Sequence, residues 1–151
     1  MTPEITQLKN LRSHIISITE QLTDEQLNAI PAPFTNNIIW NIAHLLASQQ
    51  RICYLRSGNP FFIDEFIINK YKIETKPELA ITAEEINTIR KLFIDSIDQL
   101  AIDYENKVFK TYTSWVTPYG VAINSIDDAI KFLPFHEGLH TGTILALKKF
   151  V

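Results

Sequence analysis

Several residue types are scarce in this sequence of 151 residues, and each shortage narrows the possible classes of protein. A single cysteine, Cys53, excludes an internal disulfide and a zinc site built from several thiolates. Basic residues are also few, because 14 Lys and Arg stand against 17 Asp and Glu, for a net charge of −3. Such a chain lacks the extended basic surface that binds phosphate backbones, so we expect no nucleic acid partner.

Long apolar runs are absent as well. The densest, residues 38–46, is interrupted by Asn41 and His44 and is far shorter than the roughly 20 residues of a membrane helix. The amino-terminal residues lack the basic and apolar regions of a signal peptide, so we expect a cytoplasmic protein with no membrane attachment. Since 46% of the residues are hydrophobic, the chain is long enough for one core, and we expect a single domain over residues 1–151.

Glycine is limited to four residues, and helical periodicity runs through most of the chain. In the first predicted helix the apolar stripe consists of Leu8, Leu11, Ile15, Ile18 and Leu22. Signals for the start of a helix occur at Thr2-Pro3-Glu4, Asn36 or Asn37, Thr82 and Ser125. Four long amphipathic helices predict an all-α protein, a four-helix bundle. The second helix is expected to reach about Arg56, and the connection over residues 57–81 is long enough to cross the bundle.

Three histidines are the feature that points to chemistry. His136 and His140 lie one helical turn apart on the stripe that we expect to face the core, and His44 lies among apolar neighbours on the second helix. Three neutral imidazoles on two facing helices predict a metal site with open coordination positions, suited to zinc, nickel or iron. The alternative is that they are hydrogen-bonded core residues. His14 flanks the first stripe without a paired ligand and is expected at the surface.

Residues 136–140 also match H-E-x-x-H, the motif in which zincin peptidases use Glu as general base. The surrounding sequence argues against a peptidase, because Ala146 stands where a metzincin has its third histidine and no acidic residue follows His140. Glu137 is turned about 100° from its neighbour around the helix. We therefore expect it to face solvent or another helix, while a role beside the metal ligands stays open.

The turn-rich, aromatic segment 105–124 contains the remaining candidates. Tyr112, Trp115 and Tyr119 either overhang an open metal site or cap the core of the bundle. No convincing general base is present, and Glu137, Tyr112 and Tyr119 are the weak candidates for a catalytic role.

The single cysteine, two glycines and one proline have structural interpretations that need no chemistry. Cys53 is rotated away from His44 and is expected to be a buried free thiol. Gly138 and Gly142 favour ordinary helix packing, with a dimer interface as the alternative. Pro134 is expected either to kink the fourth helix or to mark its start.

Two segments of the chain resemble the DinB-like superfamily. One is residues 36–46, which carry W-x-x-x-H at Trp40 and His44, and the other is residues 135–145, which carry H-x-x-x-H. Similar members often have glycine where this chain has Glu74. Shorter supporting stretches keep the same order, so that the resemblance covers almost the whole chain: residues 22–27, 69–72, 75–78 and 117–121.

The resemblance implies an up-down-down-up four-helix bundle, often dimeric, in which His44, His136 and His140 hold a divalent metal. Better-understood relatives use that metal in transferase or isomerase chemistry with low-molecular-weight thiols such as bacillithiol or mycothiol. We therefore expect a homodimeric, metal-dependent thiol S-transferase or hydrolase that acts on a small molecule. The alternative is a non-catalytic, metal-binding or structural dimer.

Overall fold

Helices account for 63% of the chain in the computed structural model, which describes residues 1–151. The elements, in order, are α1 (Pro3–Thr19), α2 (Asp24–Asn28), α3 (Ile38–Gln49), a π-helical segment (Gln50–Leu55), α4 (Glu65–Tyr71), α5 (Ala83–Glu105), β1 (Trp115–Val116), β2 (Ala122–Ile123), α6 (Ile126–Leu147) and a 3-10 turn (Lys148–Phe150). The all-α class predicted from the sequence is confirmed. None of these helices combines the length and the apolar character that crossing a membrane requires.

The long helices begin where the capping residues predict. The side chains of Thr2, Asn37 and Ser125 each accept a hydrogen bond from a backbone N–H in the first turn that follows. Thr82 does the same, although the side chain of Glu85 does not complete the capping box, because it bonds Lys70 and Tyr71 instead. These caps fix the register of the helices that carry the histidines.

The four long helices enclose the core. α1 and α3 each pack against both α5 and α6, and α4 covers another side of α3. Nearly every residue of α3 is buried, in agreement with its apolar character on several faces. The hairpin of β1 and β2, which the sequence did not predict, packs Ile123 against the amino-terminal part of α6.

Two helices turn different faces to the core from those that the apolar pattern predicts. On α1 the buried residues include Arg12 and Thr19, while Leu11 and Ile18 are only half-buried, as is Leu22 beyond the end of this helix. On α6 the buried residues include Glu137 and Thr141. His136 and His140, which were expected to face the core, are half-buried at its edge. The cause is that Arg12 and Glu137 pair with each other inside the protein, so polarity does not indicate exposure at these positions.

The second predicted helix continues as one helix, but its hydrogen-bonding pattern changes along its length. After Gln49 the backbone passes from α-helical to π-helical hydrogen bonding, and the N–H of Arg56 donates to the carbonyl of Arg51 over 3.3 Å. By contrast, α6 begins at Ile126 and runs through Pro134 without ending there. Pro134 thus does not mark the start of this helix.

Glu74 adopts the left-handed conformation, with φ of 71°. Glycine enters this region at little steric cost, which agrees with the glycine that the resemblance implies at this position. The connection between α4 and α5 nevertheless adopts this backbone conformation at Glu74, although this residue has a side chain.

Candidate metal centre

His44 from α3 and His136 and His140 from α6 come together at the contact of these two helices. One ring nitrogen from each residue lies within 4.8 Å of the other two, which is close enough for one ion to contact all three. The separation of four residues places His136 and His140 on one side of α6, and their ring centroids are 4.8 Å apart. The structure therefore brings together the three histidines that the sequence singled out.

The ring of His44 is oriented by backbone and aromatic contacts. Its Nδ1 lies 2.8 Å from the carbonyl oxygen of Tyr71, which can only accept, so Nδ1 carries the proton and donates. Its Nε2 is then unprotonated, and the hydroxyl of Ser48 lies 3.2 Å from it. The indole of Trp40 stacks on the same ring at a centroid distance of 4.7 Å. His44 thus has an unprotonated Nε2, and its ring centroid lies 4.7 Å from that of His140 and 5.5 Å from that of His136.

His140 is oriented by an amide. Its Nδ1 lies 2.8 Å from Oδ1 of Asn41. The amide nitrogen of Asn41 donates to Oδ1 of Asn36 and to the carbonyl of Asn37, and this fixes which atom is the oxygen. His140 therefore donates from Nδ1 and has an unprotonated Nε2. Such outer hydrogen bonds set the tautomer and orientation of metal-binding histidines in proteins generally.

His136 has a buried ring nitrogen without a protein partner. No side chain or backbone group hydrogen-bonds its Nδ1, which is shielded from solvent. A buried polar atom left in this way is unfavourable and calls for an additional partner. A metal ion is one partner that fits an imidazole in the company of two others.

All three imidazoles are held neutral, the form that binds metals. Burial, together with the neighbouring His140 and His44, lowers the pKa of His136 to about 3. Burial and His44 lower the pKa of His140 to about 4, and burial is also the main cause that lowers the pKa of His44. Neutral rings, oriented lone pairs and an unpartnered nitrogen fit a divalent ion of the zinc, nickel or iron kind.

A cavity of about 400 Å³ opens onto this centre. Its wall is formed by α3, the π-helical segment, the hairpin region and α6, and the residues that line it are His44, Ser48, Arg51, Ile52, Leu55, Arg56, Ile73, Thr113, Trp115, Pro118, Tyr119, Phe132 and His136. A small molecule that enters this space reaches two of the three histidines. Structural metal sites are closed by protein ligands, whereas a site with an open side is typical of catalysis.

Glu137 lies on the other side of α6, in a buried ion pair. Its Oε1 accepts from Nε of Arg12 over 2.8 Å and lies 2.6 Å from Nη2 of the same residue. Arg12 also donates from Nη1 to the carbonyl of Phe93 and to Ser96. Burial raises the pKa of Glu137, while the guanidinium of Arg12 acts in the opposite direction. Of the two places expected for Glu137, the structure shows the one against another helix.

The two candidate tyrosines differ in position. Tyr112 is half-buried and donates its hydroxyl hydrogen to the carbonyl of Ile52, and burial is the main cause that raises its pKa to about 12. Trp115 donates to the Tyr112 oxygen and lines the cavity. Tyr119 is 57% exposed at the rim, where its ring packs against Phe135. Trp115 and Tyr119 therefore line the cavity at the centre, while Tyr112 and Trp115 also pack against the core, so features of both sequence-based interpretations are present.

The other residues considered from the sequence lie away from the centre. Cys53 is fully buried, and burial raises the pKa of its thiol to about 12, so it stays protonated and unreactive. His14 is exposed on α1. Gly138 and Gly142 are exposed, and apart from their chain neighbours and the backbone of their own helix turn, no atom of this chain lies within 4 Å of a Cβ placed on either. Packing within the chain does not explain these glycines.

Residues 7–144 match the family described as the DinB superfamily. The chain belongs to the DinB superfamily. Proteins of this superfamily bind metals in general. No curated protein matches the sequence. The membership and the cluster of His44, His136 and His140 agree with each other, because the matched range contains all three histidines.

The sequence did not predict the roles of Asn41, which orients His140, and of Arg12, which pairs with Glu137 behind the centre. Asn41 stands three residues before His44, which places both on one side of an otherwise apolar helix, and this was an available signal. Arg12 interrupts the first apolar stripe at a position that a helical wheel assigns to the core. A polar residue on a buried face calls for a partner, and each of these two has its partner on α6.

Proposed function

We propose that this chain binds one divalent metal ion, Zn, Ni or Fe, through His44, His136 and His140 and acts on a small molecule as a metal-dependent thiol S-transferase or hydrolase. The observation that carries the proposal is the set of three neutral imidazoles beside an open cavity of about 400 Å³. A divalent ion held by neutral ligands keeps its full double charge and acts as a Lewis acid on a thiol or a water molecule.

The residues around the centre have distinct roles in this proposal. The carbonyl of Tyr71 and the amide of Asn41 hold two imidazoles in the metal-binding tautomer. Trp115 and Phe132 form an apolar part of the wall and restrict the access of water. In a thiol transfer the sulfur forms a bond to an electrophilic carbon, the leaving group departs with its bonding electron pair, and the thiol proton passes to solvent.

A low-molecular-weight thiol is part of the same proposal as co-substrate. It is favoured over water because no Asp or Glu lines the cavity to act as a general base. Glu137 is engaged by Arg12, and the proton of Tyr112 is donated to a backbone carbonyl. A thiol needs less help than water in losing its proton, since its unperturbed pKa is about 8.5.

We also propose that the four long helices form the up-down-down-up bundle implied by the family, and that the chain forms a homodimer. α1 and α3, which each pack against α5 and α6, support the bundle. The open glycines of α6 support a contact with a second copy, as argued below at the scale of the whole molecule.

The experiment compares three forms of the protein purified without a histidine tag: wild type, a triple variant His44→Gln/His136→Gln/His140→Gln, and the control His14→Gln. Wild type and control are expected to contain close to one Zn, Ni or Fe per chain and to accelerate a reaction in a screen of thiols paired with electrophiles. The triple variant is expected to lack both properties. Metal content that the triple variant retains contradicts the site, and metal-loaded wild type without turnover contradicts the enzyme assignment.

A further inference from the structure

The cavity beside the metal centre carries positive charge that no acid neutralises. Arg51 and Arg56 both line it, whereas no Asp or Glu is among its lining residues. The five ion pairs of the chain use the amino terminus, Lys9, Arg12, Lys70 and Lys91, so neither cavity arginine is paired. This is unexpected in a protein whose acidic residues outnumber its basic ones, 17 to 14.

The π-helical winding brings Arg56 to the side of the histidines. Arg56 follows His44 by twelve residues, and in a regular α-helix it would be turned about 120° away from it. A π-helical turn contains more residues, so each residue rotates less around the axis and Arg56 returns towards the face of His44. π-helical segments inside helices often occur at functional sites.

Each guanidinium has a definite neighbour in the cavity. The guanidinium carbon of Arg56 lies 5.1 Å from the ring centroid of Trp115, a cation–π contact that holds the side chain at the wall. Arg51 lines the same cavity as His44 and His136, which places it beside the centre. Both residues are half-buried, so their charges are only partly screened by solvent.

We propose that Arg51 and Arg56 form a subsite for the oxyanion of the substrate, a carboxylate or a phosphate group attached to an apolar body. The guanidinium fork matches the geometry of both groups and can bind them through two parallel hydrogen bonds. Ile52, Leu55 and Phe132, which line the same cavity, provide contacts for the apolar part. This inference rests on the proposed function, because it names the class of substrate that the histidine centre receives.

The test uses benzoate, phenyl phosphate and neutral benzamide as probes, with ligand-observed NMR titrations that detect binding in the millimolar range. The titrations are made on metal-loaded protein and on the same protein after chelation. Wild type is expected to bind benzoate or phenyl phosphate in both states and to bind benzamide at least about tenfold more weakly. The stronger of the two anions identifies the oxyanion that the subsite prefers.

Variants assign the binding to the two arginines. Arg51→Gln and Arg56→Gln are each expected to weaken binding of the preferred anion at least about tenfold. Lys149→Gln removes the same charge from an exposed position outside the cavity and is expected to leave binding unchanged. If either glutamine variant does not fold, Arg51→Lys and Arg56→Lys replace it. These variants retain the charge but lose the planar guanidinium group. Each is expected to bind the preferred anion more weakly than wild type and Lys149→Gln do, but still detectably.

Benzamide that binds as tightly as benzoate and phenyl phosphate overturns the inference, as does anion binding that neither arginine variant weakens. Anion binding that requires metal and is insensitive to both arginines also overturns it, because the anion then contacts the ion itself. The two proposals fail separately. Arginine-dependent binding in a wild type that takes up no metal supports the subsite and contradicts the metal centre, whereas stoichiometric metal with arginine-independent binding does the reverse.

Discussion

Asn41 connects the fold to the chemistry at the scale of the residue, because its amide oxygen is the acceptor for Nδ1 of His140. Asn41→Ala removes this acceptor, so the ring is free to adopt the other tautomer or to rotate. We expect the affinity for zinc to fall about 10- to 100-fold, the range typical of such outer hydrogen bonds. Competition with a chromogenic chelator measures the affinity.

Two further variants provide the controls. Asn41→Asp keeps the acceptor oxygen but loses the N–H groups that donate to Asn36 and Asn37, so it is expected to hold zinc more tightly than Asn41→Ala does. Asn69→Ala changes an exposed asparagine on α4 and is expected to have no effect. Zinc affinity that is equal in wild type and Asn41→Ala contradicts the role of this hydrogen bond.

The lowered pKa values of the histidines predict how the stability of the metal-free protein depends on pH. Folded His136 and His140 have pKa values of about 3 and about 4, below the ordinary value of 6.5, so the unfolded chain binds more protons in acid. The contribution of the two neutral rings to the free energy of unfolding is fully present above a pH of about 6.5. It is lost as the pH falls from this value towards 3. Urea unfolding at several pH values measures the loss.

The triple histidine-to-glutamine variant is expected to lose less stability over this interval than wild type, while His14→Gln behaves as wild type does. An equal loss in wild type and the triple variant contradicts the assignment of acid sensitivity to these rings. With metal bound the same protonation competes with ligation, so acid is expected to release the ion.

The positions of the three histidines could be predicted from the sequence, because helical periodicity alone places His136 beside His140. Their partners could not be predicted in this way. The contact between Asn41 and His140 spans 99 residues, and the pair of Arg12 and Glu137 spans 125. Such contacts depend on which helix faces which, and this is decided by the packing of the whole chain.

At the scale of the element, the buried ion pair ties α1 to α6 directly behind His136. Glu137→Gln removes one charge and leaves the guanidinium of Arg12 buried without its counterion. We expect the free energy of unfolding to fall by about 3–5 kcal/mol, as for other buried pairs that lose one partner. Denaturant titration followed by circular dichroism measures the change.

The double variant Arg12→Met/Glu137→Met tests the same interpretation from the other direction. It removes both charges and keeps apolar volume, so it is expected to be more stable than Glu137→Gln. A single variant Glu137→Gln as stable as wild type shows that the pair does not stabilise the contact of the two helices.

Helix starts were predictable because capping depends on residues close in sequence, as at Asn37 and Ser125. The π-helical segment and the hairpin were not. The change of winding after Gln49 accompanies a non-local contact, in which the side chain of Gln50 accepts from the backbone of Phe62. β1 and β2 have two residues each, too few to produce an alternating pattern.

At the scale of the whole molecule, α6 has an outer face that this chain leaves uncovered. Gly138 and Gly142 lie open on it, and Phe135 and Leu139 beside them are 49% and 42% exposed. We expect the protein to be a dimer by light scattering after size exclusion, and Leu139→Glu to shift it to the monomer. The control Ile102→Glu alters an exposed apolar residue of α5 and is expected to leave the dimer intact. A monomeric wild type contradicts the predicted assembly.

The central claim, that His44, His136 and His140 bind a metal ion, is tested most directly by anomalous scattering. Crystals of protein purified without a histidine tag are measured on both sides of the absorption edges of zinc, nickel and iron. The account predicts one anomalous peak per chain, in contact with one ring nitrogen from each of the three histidines. A metal-loaded crystal with no peak there, or with its peak at other residues, would contradict it.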